Sequence, residues 1–285
     1  MGRVREPSVA GTFYEAEPTS LRSRIEWCFK HKLGPAKIPV VNKMGRRDIV
    51  GLIAPHAGYV YSGPIAAHGY SALAEDGCVD VVVILGPNHH GIGAPIAVYP
   101  EGVWKTPLGE VSIAKEVVRT LMERAGIVED DEEAHLLEHS IEVQLPFLQY
   151  IYGDNFSLVP ITMYLQTPEA SMELGRALAK TLEGVNSVII ASTDFSHYEY
   201  HEVAKRKDEK AIESIIEMKP KELYNRVLEE DITMCGYGPV MALLYALKET
   251  SRVKAELLKY ATSGDITGDY SSVVGYASIV FRREG

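Results

Sequence analysis

The sequence predicts an α/β fold, a single domain with a largely parallel or mixed central sheet flanked by helices. Three observations carry that expectation. Short β-branched runs at 48–54, 79–85, 156–162 and 187–192 are apolar on successive residues, as strands covered on both faces require. Segments with helical spacing lie between them. The alternation of the two argues for strands joined by crossover helices.

In chain order, the run at 48–54 precedes a helix over 64–74, and the run at 79–85 precedes helices over 113–125 and 138–152. A third strand at 156–162 is followed by a helix over 168–182, and a fourth strand at 187–192 closes the alternation. Residues 199–228 read as two helices, the second opened by Pro220, and another helix runs from Pro239 to about Glu249. The tail at 252–261 and 271–282 alternates and is rich in Val, Tyr and Ile, so it should add antiparallel strands. No repeat or linker interrupts the pattern, and 285 residues is within the range of one α/β domain, so residues 1–285 are expected to form one unit.

A hydrophobic fraction of 46% with 24% charged residues is that of an ordinary globular protein. The net charge of −10 argues against a nucleic-acid partner, because a phosphate backbone would be repelled. Lys205, Arg206 and Lys207 lie among Glu202, Asp208 and Glu209 and read as a solvated helix face. No apolar run is long enough for a bilayer and no targeting segment is visible, so a cytoplasmic protein without a membrane partner is expected. The three cysteines share no C-x-x-C pair and do not form a disulfide framework; Cys28 and Cys78 read as small buried hydrophobes.

Ligands of open α/β sheets bind beyond the carboxyl ends of the strands, which directs attention to His56, His89 and the Asp194–His197 segment. His56 and His89 are 33 residues apart, about one strand, helix and strand. If those strands are neighbours, their ends lie about 5 Å apart and both imidazoles can meet one ion. Asp194 and His197 suit a general acid and base, or groups that fix a ligand's tautomer. Cys235 precedes a helix start whose free amides should lower its thiol pKa, although the residue alone also reads as a buried free cysteine. His135 and His139 form an H-x-x-x-H pair in which Leu136 replaces the glutamate of the zinc-protease pattern. His135 then reads as a surface or helix-start residue, and His139 as one able to reach the strand ends. His31, His68 and His201 read as structural. No P-loop, dinucleotide fingerprint or nucleophile elbow is present.

Six blocks, at 7–14, 54–59, 86–90, 138–142, 192–197 and Cys235-Gly236, together resemble the Memo family in content and order. That resemblance implies a fold similar to class III extradiol dioxygenases, which use non-haem iron. It implies His56, His89 and Cys235 as metal ligands, with Asp194 and His197 lining the same pocket; these two and His139 are the catalytic candidates. The dioxygenases have a carboxylate where this chain has Cys235, and a thiolate favours softer metals such as copper(I). Fe(II) is the expected cofactor, with copper or zinc as alternatives. Animal members of the family are described as adaptors that bind phosphotyrosine peptides, and microbial members occur alongside radical-SAM and AMMECR-type proteins. The expected function is a redox enzyme for a small molecule. A metal-binding adaptor for a peptide or partner protein is the alternative from another class, and a zinc-dependent hydrolase with His197 as base is a third.

Overall fold

The computed structural model describes residues 3–250 and 252–284. Its elements in chain order are β1 (Val4–Arg5), α1 (Pro18–Lys30), β2 (Ile49–Ala54), α2 (Tyr59–Asp76), β3 (Val81–Pro87), β4 (Ile96–Val98), β5 (Val103–Thr106) and β6 (Gly109–Ser112). Then come α3 (Lys115–Arg124), β7 (Glu129–Asp130), α4 (Glu133–Leu136), a 3-10 turn (Glu142–Gln144), α5 (Leu145–Tyr152), β8 (Ser157–Met163), α6 (Pro168–Thr181) and β9 (Ser187–Ser192). The chain ends with β10 (His197–Glu199), α7 (His201–Ile216), α8 (Pro220–Glu229), α9 (Tyr237–Thr250), β11 (Val253–Thr262), α10 (Ser263–Thr267) and β12 (Val273–Arg283).

The main sheet runs β10-β12-β2-β9-β3-β8-β4-β7, with β11 pairing β12. Its centre, β2, β9, β3 and β8, is parallel, and every residue of β2 and β3 is buried because helices cover both faces. Antiparallel strands flank this centre, β12 against β2 and β4 against β8, so the sheet is mixed. A small second sheet, β1-β5-β6, carries the amino-terminal segment. The α6–α9 pair crosses closely at Gly175, where a Cβ would stand 2.5 Å from the Ala242 carbonyl oxygen. Among the described residues no helix is long and apolar enough to cross a membrane.

Several expectations are corrected. The strands leading to His56 and His89 are not neighbours, because β9 lies between β2 and β3 and pairs with both. Residues 138–152 are not one helix: 138–141 are irregular, since the Glu138 side chain takes up the backbone N–H groups of His139 and Ser140. Helix α2 starts at Tyr59, so Pro64 lies inside it. The carbonyl that loses a partner to Pro64 belongs to Val60, which is 40% exposed and can turn to solvent. Cys78 is exposed rather than buried. His135 is fully buried in α4, packed edge-on against Tyr99 and Trp104, and is not a surface residue.

Candidate metal centre

Three segments leave the carboxyl edge of the parallel strands together. β2 delivers His56, β3 delivers His89, and β9 between them delivers Ser192, Thr193 and Asp194. The irregular stretch before the 3-10 turn adds Glu138 and His139. The imidazole centroids are 5.2 Å apart for His56 and His89, 5.4 Å for His56 and His139, and 4.7 Å for His89 and His139. One ring nitrogen from each lies within 4.8 Å of the others. The histidines meet across an intervening strand because their loops lean over the end of β9, which accommodates them with small polar residues.

Hydrogen bonding fixes which nitrogen each ring offers. Ser192 Oγ donates its single proton to the Ser140 carbonyl (2.7 Å) and accepts from Gln144 Nε2 (2.8 Å). Its contact with His56 Nδ1 (2.9 Å) therefore has the ring as donor, so Nε2 of neutral His56 carries the free lone pair. Burial, then the neighbouring His139 and His89, holds the His56 pKa well below its ordinary value, which keeps the ring neutral. His89 Nδ1 faces the Glu138 carboxylate at 3.0 Å, leaving its Nε2 toward the cluster. Burial opposes protonation of His89, but the hydrogen bond and charge of Glu138 outweigh it and raise the pKa. For His139, burial dominates and lowers the pKa to about 4.

Glu138 is the hub. Its two oxygens accept from the backbone N–H groups of His89, His139 and Ser140 as well as from the His89 ring. Burial would raise its pKa, yet the His89 hydrogen bond and the adjacent imidazoles pull it far down, so it is a fixed anion beside the cluster. Behind it, Arg5 and Glu142 form an ion pair with both side chains fully buried. Arg5 also donates to the carbonyls of His135 and Glu138, while Glu142 accepts from Ser8, Val9 and Tyr14. The amino-terminal segment thereby pins the stretch that bears Glu138 and His139.

Cys235 Sγ lies 3.3 Å from His56 Nε2. Two ligands bound to one ion at about 2.0–2.3 Å stand roughly 3–4 Å apart, so this contact has the length of a shared coordination edge. The expected lowering of the thiol pKa is not found. Burial first, then the Asp194 carboxylate, pushes it up, outweighing the Asp194 N–H donated to the sulfur at 3.3 Å. The Cys235 thiol is therefore protonated and donates to the His56 lone pair. Asp194 Oδ1 accepts the His56 backbone N–H at 2.8 Å, tying β9 to the β2 loop, and burial raises its pKa to about 6. His197 stands at the rim with Nδ1 2.8 Å from the Thr233 carbonyl. His31, His68 and His201 make local bonds to Leu33 N–H, Leu33 carbonyl and Thr262.

Glu138, Ser192 and Gln144 also shape the site, in roles the sequence does not single out. Two of them had a signal: Glu138 directly precedes His139, and Ser192 ends a strand two residues before Asp194. Gln144 had none, since its amide reaches Pro55 and Ser192 only through the fold.

Fold and donor set together define a class: α/β proteins with a histidine cluster at the carboxyl edge of a parallel sheet that could hold a metal ion. The donors fit a transition metal: three imidazoles converge, and the soft Cys235 thiol lies beside one of them, His56, although Cys235 is not within the same close group as His89 and His139. The Memo-like protein family model matches residues 5–280, and this chain belongs to that family. It is 50% identical to a MEMO1 family protein of Methanopyrus kandleri over 98% of this chain and 99% of that one. It is 48% identical to a MEMO1 family protein of Methanothermobacter thermautotrophicus, over 97% and 99%. An uncharacterized protein from Escherichia coli K12 shares the fold with a TM-score of 0.54 at 17% identity, covering 81% of this chain and 99% of that chain.

Proposed function

We propose that the chain is a metal-dependent redox enzyme acting on a small molecule, with a ferrous ion held by His56, His89 and Cys235 and with His139 as a fourth neighbouring donor. The observation that carries this reading is the convergence of three imidazoles, two of them oriented by Ser192 and Glu138, with a thiol at ligand-edge distance from His56. Imidazole suits iron, copper and zinc alike, and sulfur adds affinity for redox-active, softer ions. Bound iron would supply electron-transfer and Lewis-acid chemistry.

The protein's own residues do the rest. Ser192 and Glu138 orient the rings before any ion arrives, and Asp194 locks the His56 backbone. His197 Nδ1 must donate to the Thr233 carbonyl, which leaves Nε2 as a proton acceptor at the rim. His197→Ala should keep its metal and lower turnover by about 10²-fold or more, the scale for losing a positioned base.

Elemental analysis of protein purified without oxygen tests the reading. About one iron or copper per chain is expected, with loss in His56→Ala and His89→Ala. Zinc alone would favour hydrolysis, a reading to which three imidazoles also lend themselves. Unchanged metal content in both variants would refute a shared site.

A further inference from the structure

A second group of three donors, His90, Glu138 and His139, lies with its ligand atoms mutually within 4.8 Å and shares His139 with the His56, His89 and His139 group. Each group has one buried, one half-buried and one exposed member, and His56, at 2% exposure, is the deepest of their four imidazoles. They differ in the exposed histidine: the His89 ring is held by Glu138, whereas the His90 ring, among the described residues, takes part in no hydrogen bond. The loop presents His90 in a set position: Asn88 Oδ1 accepts the backbone N–H of His90 and of Gly91, and Asn88 Nδ2 donates to the Ile92 carbonyl. Glu138 of the second group is a buried negative charge that also contacts the His89 ring of the first.

We propose that His90, Glu138 and His139 form an outer loading site that captures a divalent transition-metal cation and passes it, through the shared His139, to the inner donors. The proposal rests on the reading that the inner donors hold the resident ion. The outer group is poorly suited to be a resting place, because the Glu138 oxygens already accept from His89 and from three backbone N–H groups. It is well suited to capture, since a solvated imidazole exchanges its water for a cation readily and the carboxylate draws the cation inward. His139 belongs to both groups, so an ion held there needs only to exchange partners to reach the inner imidazoles, and the thiol releases its proton to solvent when it binds. No bond other than metal–ligand bonds forms or breaks besides that release of a thiol proton to solvent.

Cobalt(II) uptake by the metal-free full-length chain, followed by stopped-flow absorbance and compared with equilibrium titration, tests this. His90→Ala should bind the same one ion with the same final spectrum. Uptake at low cobalt should be slower by about tenfold, because the rate scales with outer-site affinity and losing one group of a metal site costs at least about that much. Wild-type rates should saturate with rising cobalt, as a captured complex fills, and those of the variant should stay linear over the same range. A His90→Ala rate equal to that of the wild type would overturn the relay. So would loss of equilibrium stoichiometry in that variant, which would make His90 a ligand of the resident ion. His56→Ala separates the two claims: loss of bound cobalt supports the underlying reading, and full retention overturns that reading and the relay with it.

Discussion

Glu138 contacts no proposed substrate, yet it sets the charge and the tautomer of His89 and orders the backbone that carries His139. Glu138→Gln keeps the volume but removes the anion, and metal affinity should fall by about 10–100-fold in a chelator competition, the usual cost of losing an orienting carboxylate. Unchanged affinity would reduce Glu138 to a loop staple. His135 offers a different test. Among the described residues neither ring nitrogen completes a hydrogen bond, and burial, then the charge of Arg5, lowers its pKa from 6.5 to about 3. Between those values the unfolded chain binds a proton that the folded chain refuses, so stability is full above about 6.5 and lost as pH falls toward 3. His135→Phe should flatten that slope, read by urea denaturation at pH 7 and pH 5, and an unchanged slope would contradict it. At this scale the sequence made His56, His89, Asp194 and His197 visible, because strand-end polar residues stand out against apolar runs. It hid the role of Glu138, since a glutamate beside a histidine looks the same whether it faces solvent or orients a ring.

Elements show where the pattern of apolar residues stops being informative. The tail hairpin was legible because its residues are rich in Val, Tyr and Ile, and the parallel strands were legible because burial on two faces leaves unbroken apolar runs. Their order was not, since nothing in residues 187–192 says that this strand inserts between β2 and β3. The small sheet β1-β5-β6 and the stretch 138–141 were also missed: the strands of that sheet are two to four residues long, and 138–141 is held by the Glu138 carboxylate on its own next residues and by Arg5 from far along the chain rather than by periodicity. The buried Arg5–Glu142 pair makes this dependence measurable. Arg5→Met leaves Glu142 buried without its cation, so folding stability should drop by about 3–5 kcal/mol, and metal affinity should drop too as the 138–142 stretch loosens. A stability loss without a metal effect would uncouple the segment from the site. Gly175→Ala, which forces a methyl against the Ala242 carbonyl, should cost about 1–3 kcal/mol by overpacking the α6–α9 crossing and leave metal content alone.

For the whole molecule, the charge of −10 disfavours nucleic acid, and a salt-sensitive gel shift at sub-micromolar protein would contradict that expectation. Because the proposed donors come from four separated stretches of chain, metal binding should stabilise the entire fold. An ion present at a hundredfold over its Kd adds about 2.7 kcal/mol, which a thermal scan with and without chelator would register as a higher Tm. The central claim is that one ion sits among imidazoles and a thiol, and X-ray absorption at the zinc edge of the zinc-loaded chain addresses it most directly. Imidazole nitrogens at about 2.0–2.1 Å with one sulfur at about 2.3 Å is the predicted shell, and the sulfur should vanish in Cys235→Ala. A shell of oxygens alone, with no imidazole signature, would contradict it.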